Sequence, residues 1–303
     1  MLVPFAARAD PGCRDALRGL ALPRLDKLLA GLACIATDEG EAHSLTPPHE
    51  RVAARAYGIE AGDGRIPWAA WQVAQSGGDA GSDAWAWVTP CHWQVGTGHV
   101  SMDDPQQLRL GDEASRTLLR AIQPYFEQDG IRLDYDAPTR WLARGEIFRA
   151  LPTASLDRVA GRVIDPWMPR GEEGKPLRRL QQEMQMLLYT HPLNDERARQ
   201  GLVPVNSFWV SGAGALPSAG RASPRPRPTV VDDLRGPAIA QDWQAWSAAW
   251  QAVEAKLDAA PVAQLTLCGD RNARTWSSAG TGLWQRVGSA FRRTRTAQQL
   301  EAL

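Results

Sequence analysis

The chain of 303 residues is almost without lysine: Lys27, Lys175 and Lys256 stand alone among 34 basic residues, and all the others are arginine. It also lacks net charge, because 34 acidic residues balance the basic ones. A neutral chain has no long-range field to gather nucleic acid or an anionic membrane, so neither is an expected partner. Long apolar runs are missing, since none approaches the roughly 18 to 20 residues that span a bilayer. The opening MLVPFAARADPG shows no basic stretch followed by a long apolar one, and a cytoplasmic location is expected. Cys13, Cys34, Cys91 and Cys268 lie far apart with no CxxC pair, which speaks against a zinc knuckle or a disulfide framework. Walker A and G-x-G-x-x-G loops are absent after the first expected strand, and so is a G-x-S-x-G elbow. These absences argue against an NTPase, a Rossmann dehydrogenase and a serine hydrolase.

What is present suits a globular fold. Apolar residues make up 44% of the chain, enough to bury a full core and to exclude disorder or a collagen-like repeat. The arginine excess reads mainly as coding bias, with the secondary implication that any anion contacts are guanidinium forks. Met1 to Phe5 can open a central strand, and Leu22, Leu25, Leu28, Leu29 and Leu32 recur at helical spacing behind Pro23. The string LTPPHERVAARAYG predicts a proline-fixed turn and a helix ending at Gly58. Trp85 to Val88, Ser207 to Ser211 and Gln264 to Cys268 read as strands. Asp112 to Phe126 reads as a helix, and Ile131 to Tyr135 with Arg140 to Ala143 as a hairpin. Leu177, Leu180, Met184, Leu187 and Leu188 mark another helix, ended by His191-Pro192. The Trp243, Trp246, Trp250 stripe is read as core before a base-stacking platform.

Strands alternating with helices predict one α/β domain over 1–303, with a mostly parallel central sheet, helices on both faces and a small hairpin-containing insertion. The stretch 218–228 (SAGRASPRPRP) is expected to be a disordered proline-rich loop, and 291–303 a basic tail.

Three constellations could carry chemistry. Thr89 to His99 (TPCHWQVGTGH) follows an expected strand, where open α/β sheets collect ligands. His92, His99, Asp103 and Asp104 offer donors to a divalent metal, but the spacing matches no standard motif, and a structural or organic-ligand role is preferred. The run HPLNDERARQGLVPVNSFWVSGAG supplies His191, Asn194, Arg197, Asn206, Ser211 and, at Gly212 and Gly214, backbone that can approach an anion closely. Helix capping, a solvated arginine and a positive-φ turn explain the same residues equally well. Third, Cys268-Gly269-Asp270-Arg271 ends a late strand. Asp270 is either a ligand or a partner for arginine.

Several of these strings resemble a known family. HPLNDERARQGLVPVNSFWVSGAG is similar to the His, Asn, Arg, then Gly, Asn, strand and Gly-x-Gly of archaeal-type cofactor-independent phosphoglycerate mutases. The helix around Pro23 to Leu28 is similar to the early helix of the wider alkaline-phosphatase-like superfamily. Nearly the whole chain resembles the bacterial regulatory protein RpfE family, through WAWVTPCHWQVGTGHVSMDDP, RWLARGEIFRALPTASLDRV and RRLQQEMQMLLYTHPLNDERARQGLVPVNSFWVSGAG. The resemblance implies an alkaline-phosphatase-like fold and a pocket drawn from Thr89, His92, Gln94, His99, His191, Asn194, Arg197, Asn206, Ser211, Gly212, Asp270 and Arg271.

Two departures matter. Active members of the superfamily carry a metal-binding Asp at the end of the first strand, where this chain runs LVPFAA with no carboxylate before Asp10. They also carry a late Gly-Asp-His, where this chain reads Gly269-Asp270-Arg271. A paired metal centre needs several such ligands. The leading expectation is therefore a degenerate phosphoglycerate mutase-like regulatory protein that binds a phosphorylated small molecule without a cofactor. The alternatives are an active mutase or phosphatase, with manganese or zinc held by His92, His99, His191 and Asp270, and a protein-interaction module. Oligomeric state and nucleophile stay open.

Overall fold

A computed structural model describes residues 1–217, 227–259, 261–278 and 296–303. The chain folds as two compact units, one made of Met1–Gly58 with Ser223–Leu303 and the other of Ile59–Ala222.

The first unit opens with β1 (Leu2–Val3), α1 (Pro11–Gly19), α2 (Pro23–Gly31), β2 (Ala33–Asp38) and α3 (Pro48–Tyr57). Prolines stand at the first turns of all three helices, where a missing N–H costs nothing. Gly58 ends α3 at φ 75°, a left-handed cap that glycine adopts without a Cβ penalty.

The second unit follows with α4 (Trp68–Gln75), β3 (Trp85–Cys91), β4 (Trp93–Gly96), β5 (His99–Met102), α5 (Asp112–Gln128), β6 (Arg132–Ala137) and β7 (Arg140–Arg144). It continues through α6 (Leu156–Val159), β8 (Arg162–Val163), α7 (Lys175–Tyr189), α8 (Pro192–Arg199) and β9 (Ser207–Gly214). The chain then returns to the first unit as α9 (Arg235–Ile239), α10 (Trp243–Ala259), β10 (Gln264–Cys268), β11 (Ala273–Ser277) and α12 (Thr296–Glu301).

Among the described residues the first unit holds a sheet ordered β1-β10-β11-β2, and the second holds sheets ordered β6-β7-β3-β9 and β4-β5-β8. The expected mostly parallel central sheet is thus corrected: β1 with β10 is parallel, while the other named strand pairs are antiparallel. The physical reason is connection length. β4–β5, β6–β7 and β10–β11 are joined by loops of a few residues, and such loops can only turn a strand back on itself. β3 and β9 lie far apart in sequence yet also pair antiparallel, a choice that helix and strand alternation alone does not fix. β1 lies at the end of its sheet order rather than in the centre, with Leu2 bridged to Val230 beyond it.

In the second unit α5 and α7 lay Leu118, Ile122, Phe126, Leu180 and Met184 against a core that includes Val88, Trp141 and Phe208. Trp141 is buried without an orphaned polar atom, since its Nε1 donates to Ser115 Oγ at 2.9 Å and that hydroxyl donates to Pro138 O at 2.7 Å. In the first unit Trp246 and Trp250 of α10 are fully buried in an edge-to-face contact, while Trp243, the third member of the stripe read as core, is half-buried. Most of the expected loop at 218–228, and residues 291–295 of the expected tail, lie outside the described residues. Among the described residues no helix is long and apolar enough to cross a membrane.

Candidate functional site

The first unit gathers charge where β1 and β10 end. After β1 the chain turns at Phe5, whose φ of 57° is rare for a bulky side chain. The bend is held by Trp246 Nε1 donating to Phe5 O at 3.0 Å and Ala6 N–H donating to Cys268 O at 2.8 Å. Arg8 N–H then meets Cys13 Sγ at 3.2 Å, and Ala9 N–H donates to Asp270 Oδ2 at 2.9 Å. This sets the Arg8 side chain, 3% exposed, between two carboxylates: its Nε lies 3.4 Å from Asp10 Oδ2 and 3.4 Å from Asp270 Oδ1.

Beside this triad is a cavity of about 310 Å³ lined by Arg8, Arg14, Asp270, Arg271, Asn272 and Glu301, among others. Arg14 donates to Ala9 O at 2.9 Å. The Arg271 main chain is engaged on both sides, through its carbonyl with Arg51 Nη2 and its N–H with Leu303 O. Its side chain is exposed, with no ion pair or hydrogen bond among the described residues. The cavity therefore presents two guanidinium groups, Arg14 and Arg271, that make no ion pair among the described residues, alongside the carboxylates of Asp270 and Glu301. Phosphates and carboxylates are the anions that such forks bind best. The nearby Cys13 thiol is pushed up to about 11 by burial, against the opposing pull of the Arg8 N–H, and stays protonated at neutral pH.

Of the residues expected to form a pocket, only Asp270 and Arg271 belong to this unit. The others lie in the second unit, and most have their polar atoms committed to backbone. Asn194 is buried, donating to Leu188 O and Val205 O and accepting from Val205 N, each at 2.8 to 2.9 Å. Arg197 donates to Val203 O at 2.9 Å and Leu108 O at 2.6 Å, and burial lowers its pKa. Asn206 grips the Trp93 main chain at both N and O, at 2.7 and 2.9 Å. His92 Nδ1 lies 2.8 Å from Pro204 O, which can only accept, so that nitrogen carries the proton and Nε2 is left open. His191 does the reverse: its Nδ1 accepts from Leu193 N–H and caps α8.

Gln94 and His99 are exposed on the β4–β5 hairpin, with the His99 ring over Gly96. Much of the Thr89 to His99 stretch thus lies in β3 and in this hairpin, which turns at Gly98, whose φ is 78°. Thr89 and Ser211 are buried in β3 and β9. At Gly212, φ 61°, a Cβ would come within 3.0 Å of Trp68 and Trp87, so the glycine is required by packing as well as by backbone.

Paired divalent ions do not fit this donor set. Asp10 and Asp270 already share the Arg8 cation, which offsets one of their two charges, and among the described residues no three His, Cys, Asp or Glu side chains converge. Arg8 and Arg14 are the members of the site that sequence reasoning missed. Their signal was an arginine pair flanking the first carboxylate after β1.

No protein-family profile matches the chain. Over 59 residues it is 37% identical to the 2,3-bisphosphoglycerate-independent phosphoglycerate mutase of Methanosarcina mazei, covering 20% of this chain and 15% of that enzyme. The enzyme of the same description from Methanothrix thermoacetophila is 35% identical over 63 residues, 21% of this chain and 16% of its own length. This is a distant and partial homology. The matched stretch spans about a sixth of these relatives, and these matches do not show the RpfE family. Among solved structures, the cofactor-independent phosphoglycerate mutase of Thermoplasma acidophilum aligns over 93% of this chain and 90% of its own, at 14% identity and a TM-score of 0.40.

Proposed function

We propose that the chain is a phosphoglycerate mutase-like protein of the RpfE type that binds a phosphorylated small molecule in the cavity of its first unit, in the cytoplasm, as a regulatory rather than a catalytic protein. The observation that carries this reading is the placement of Arg8 between Asp10 and Asp270, beside a cavity that also presents Arg14 and Arg271. A divalent cation needs carboxylates whose charge is free. Here a permanently charged guanidinium of the chain's own lies against both and offsets one of their two charges. Besides this triad and the Glu301 carboxylate the cavity offers the planar donors of Arg14 and Arg271, for which a phosphate is the complementary group. Asp270 then serves as the anchor of Arg8, and Arg271 as a fork for the ligand. Phosphoryl transfer would need in-line activation that these groups do not supply, so the ligand is held and not converted.

The test is calorimetric titration of 3-phosphoglycerate and of inorganic phosphate in the presence of EDTA. Binding that survives the chelator and is lost in the double variant Arg14→Ala/Arg271→Ala is the expected result. Uptake of two equivalents of manganese accompanied by turnover of 3-phosphoglycerate would overturn the reading.

A further inference from the structure

The cavity beside Arg8 carries one more charge without a partner, and that charge is negative. Glu301, the last residue of α12, lines it together with Arg14 and Arg271, is exposed, and makes no ion pair or hydrogen bond among the described residues. Opposite charges that meet elsewhere in this unit do pair: Arg18 lies 2.7 Å from Asp15, Arg24 2.8 Å from Asp258 and Lys256 2.6 Å from Asp233. Here two guanidinium groups and a carboxylate line the same 310 Å³ and stay apart.

Glu301 is kept beside Arg271 by the residues around it. Arg271 N–H and Asn272 N–H, in the turn between β10 and β11, donate to Leu303 O at 3.3 and 2.8 Å. Asn272 Nδ2 donates to Ala302 O at 3.1 Å, and Arg274 Nη1 donates to Gln299 Oε1 at 2.7 Å, so the chain is pinned on both sides of Glu301. Gly269 makes room for this seat, since a Cβ there would lie 2.6 Å from the Leu303 carbonyl carbon. Arg14 is held separately: one of its nitrogens donates to Ala9 O at 2.9 Å, and Ala9 N–H in turn donates to Asp270. A guanidinium has five N–H donors, so most of the Arg14 fork and all of the Arg271 fork remain to be used.

We propose that the ligand of this cavity is a small phosphorylated amine, a molecule that carries an ammonium group a few bonds from its phosphate. The inference rests on the phosphate reading above and adds a second recognition point to it. Phosphate oxygens accept from the two forks, whereas the Glu301 carboxylate can only accept, and an ammonium brings it three donors and the opposite charge. Asp270 does not take this role, because its oxygens already face Arg8 and the Ala9 N–H. A ligand with a second anionic group in place of the ammonium, such as 3-phosphoglycerate, sets like charges together at Glu301. The volume lies at the lower end of the range for small-molecule sites, which suits a compact zwitterion.

The test is calorimetry on the full chain, in EDTA and low salt, with O-phosphoethanolamine, n-propyl phosphate, which ends in a methyl where the first has its ammonium, and 3-phosphoglycerate. O-phosphoethanolamine should bind about threefold more tightly than n-propyl phosphate, the worth of one exposed ion pair, and the margin should shrink as salt is raised. Glu301→Gln, a change at an exposed position that should leave the melting temperature where it is, should weaken O-phosphoethanolamine by about threefold, leave n-propyl phosphate unchanged and strengthen 3-phosphoglycerate. Arg14→Ala/Arg271→Ala should abolish binding of all three. Equal affinity of the wild type for O-phosphoethanolamine and n-propyl phosphate, or a preference that survives Glu301→Gln, overturns the ammonium inference and leaves the phosphate reading standing. If none of the three binds, both are overturned together.

Discussion

Arg8 sets the chemistry of the first unit because it is a charge with a fixed sign in a place with little solvent. Its two carboxylate neighbours are 29% and 18% exposed, so the group is only partly screened. Replacing it by an apolar residue of similar length, Arg8→Met, leaves Asp10 and Asp270 close together without their cation. Chemical denaturation near pH 7 should then show a loss of about 3 kcal/mol, the low end for removing one partner of a buried pair. The loss should shrink as pH falls, because protonating either carboxylate relieves the repulsion, and pH-dependent unfolding checks that sign. The same scale shows how much of the site could be read in advance. Asp270 and Arg271 were singled out because they follow a late strand and stand where the resembled superfamily has its Gly-Asp-His. Arg8 was not, since its role depends on a bend at Phe5 and on Asp270 arriving from the far end of the chain.

Elements were legible where local chemistry decided them. α2 and α3 follow from their leading prolines and, for α3, Gly58; the β6–β7 hairpin follows from its turn; α10 follows from its tryptophans. β2 was invisible because it is mostly exposed and has no alternation to betray a buried face. Pairing direction was invisible as well, being set by partners distant in sequence. Some links between elements rest on single residues. Glu254 of α10, 4% exposed, accepts from the N–H groups of Arg24 and Leu25 at 3.1 and 2.7 Å and so caps the first turn of α2. Its carboxylate faces the positive end of that helix. Glu254→Ala should therefore cost about 2 kcal/mol and loosen α2 selectively. Faster amide hydrogen exchange at Arg24 and Leu25 than across β10 and β11 would register it.

Across the molecule, the thiols divide by burial. Cys13, Cys91 and Cys268 are buried and Cys34 is exposed. Burial pushes the Cys13 thiol up to about 11 and raises those of Cys91 and Cys268 as well. A thiol-reactive dye at pH 7.5 should label Cys34 alone in the native protein and all four cysteines after denaturation. Raised thiol pKa values also fix the direction of alkaline stability. The folded state holds these protons more tightly than the unfolded state, so their contribution is complete below about pH 9 and is lost between about pH 9 and 11 as Cys13 titrates. Unfolding midpoints measured from pH 8 to 11 should fall, and Cys13→Ala should fall less steeply.

The arginine held between two acids also constrains how such a centre could change through descent. Mutating the base alone strands a pair of like charges; mutating either acid alone weakens the anchorage of a sequestered cation. Each first step is penalised, so a lineage that has acquired this arrangement is biased against acquiring ion-dependent chemistry at this centre one substitution at a time.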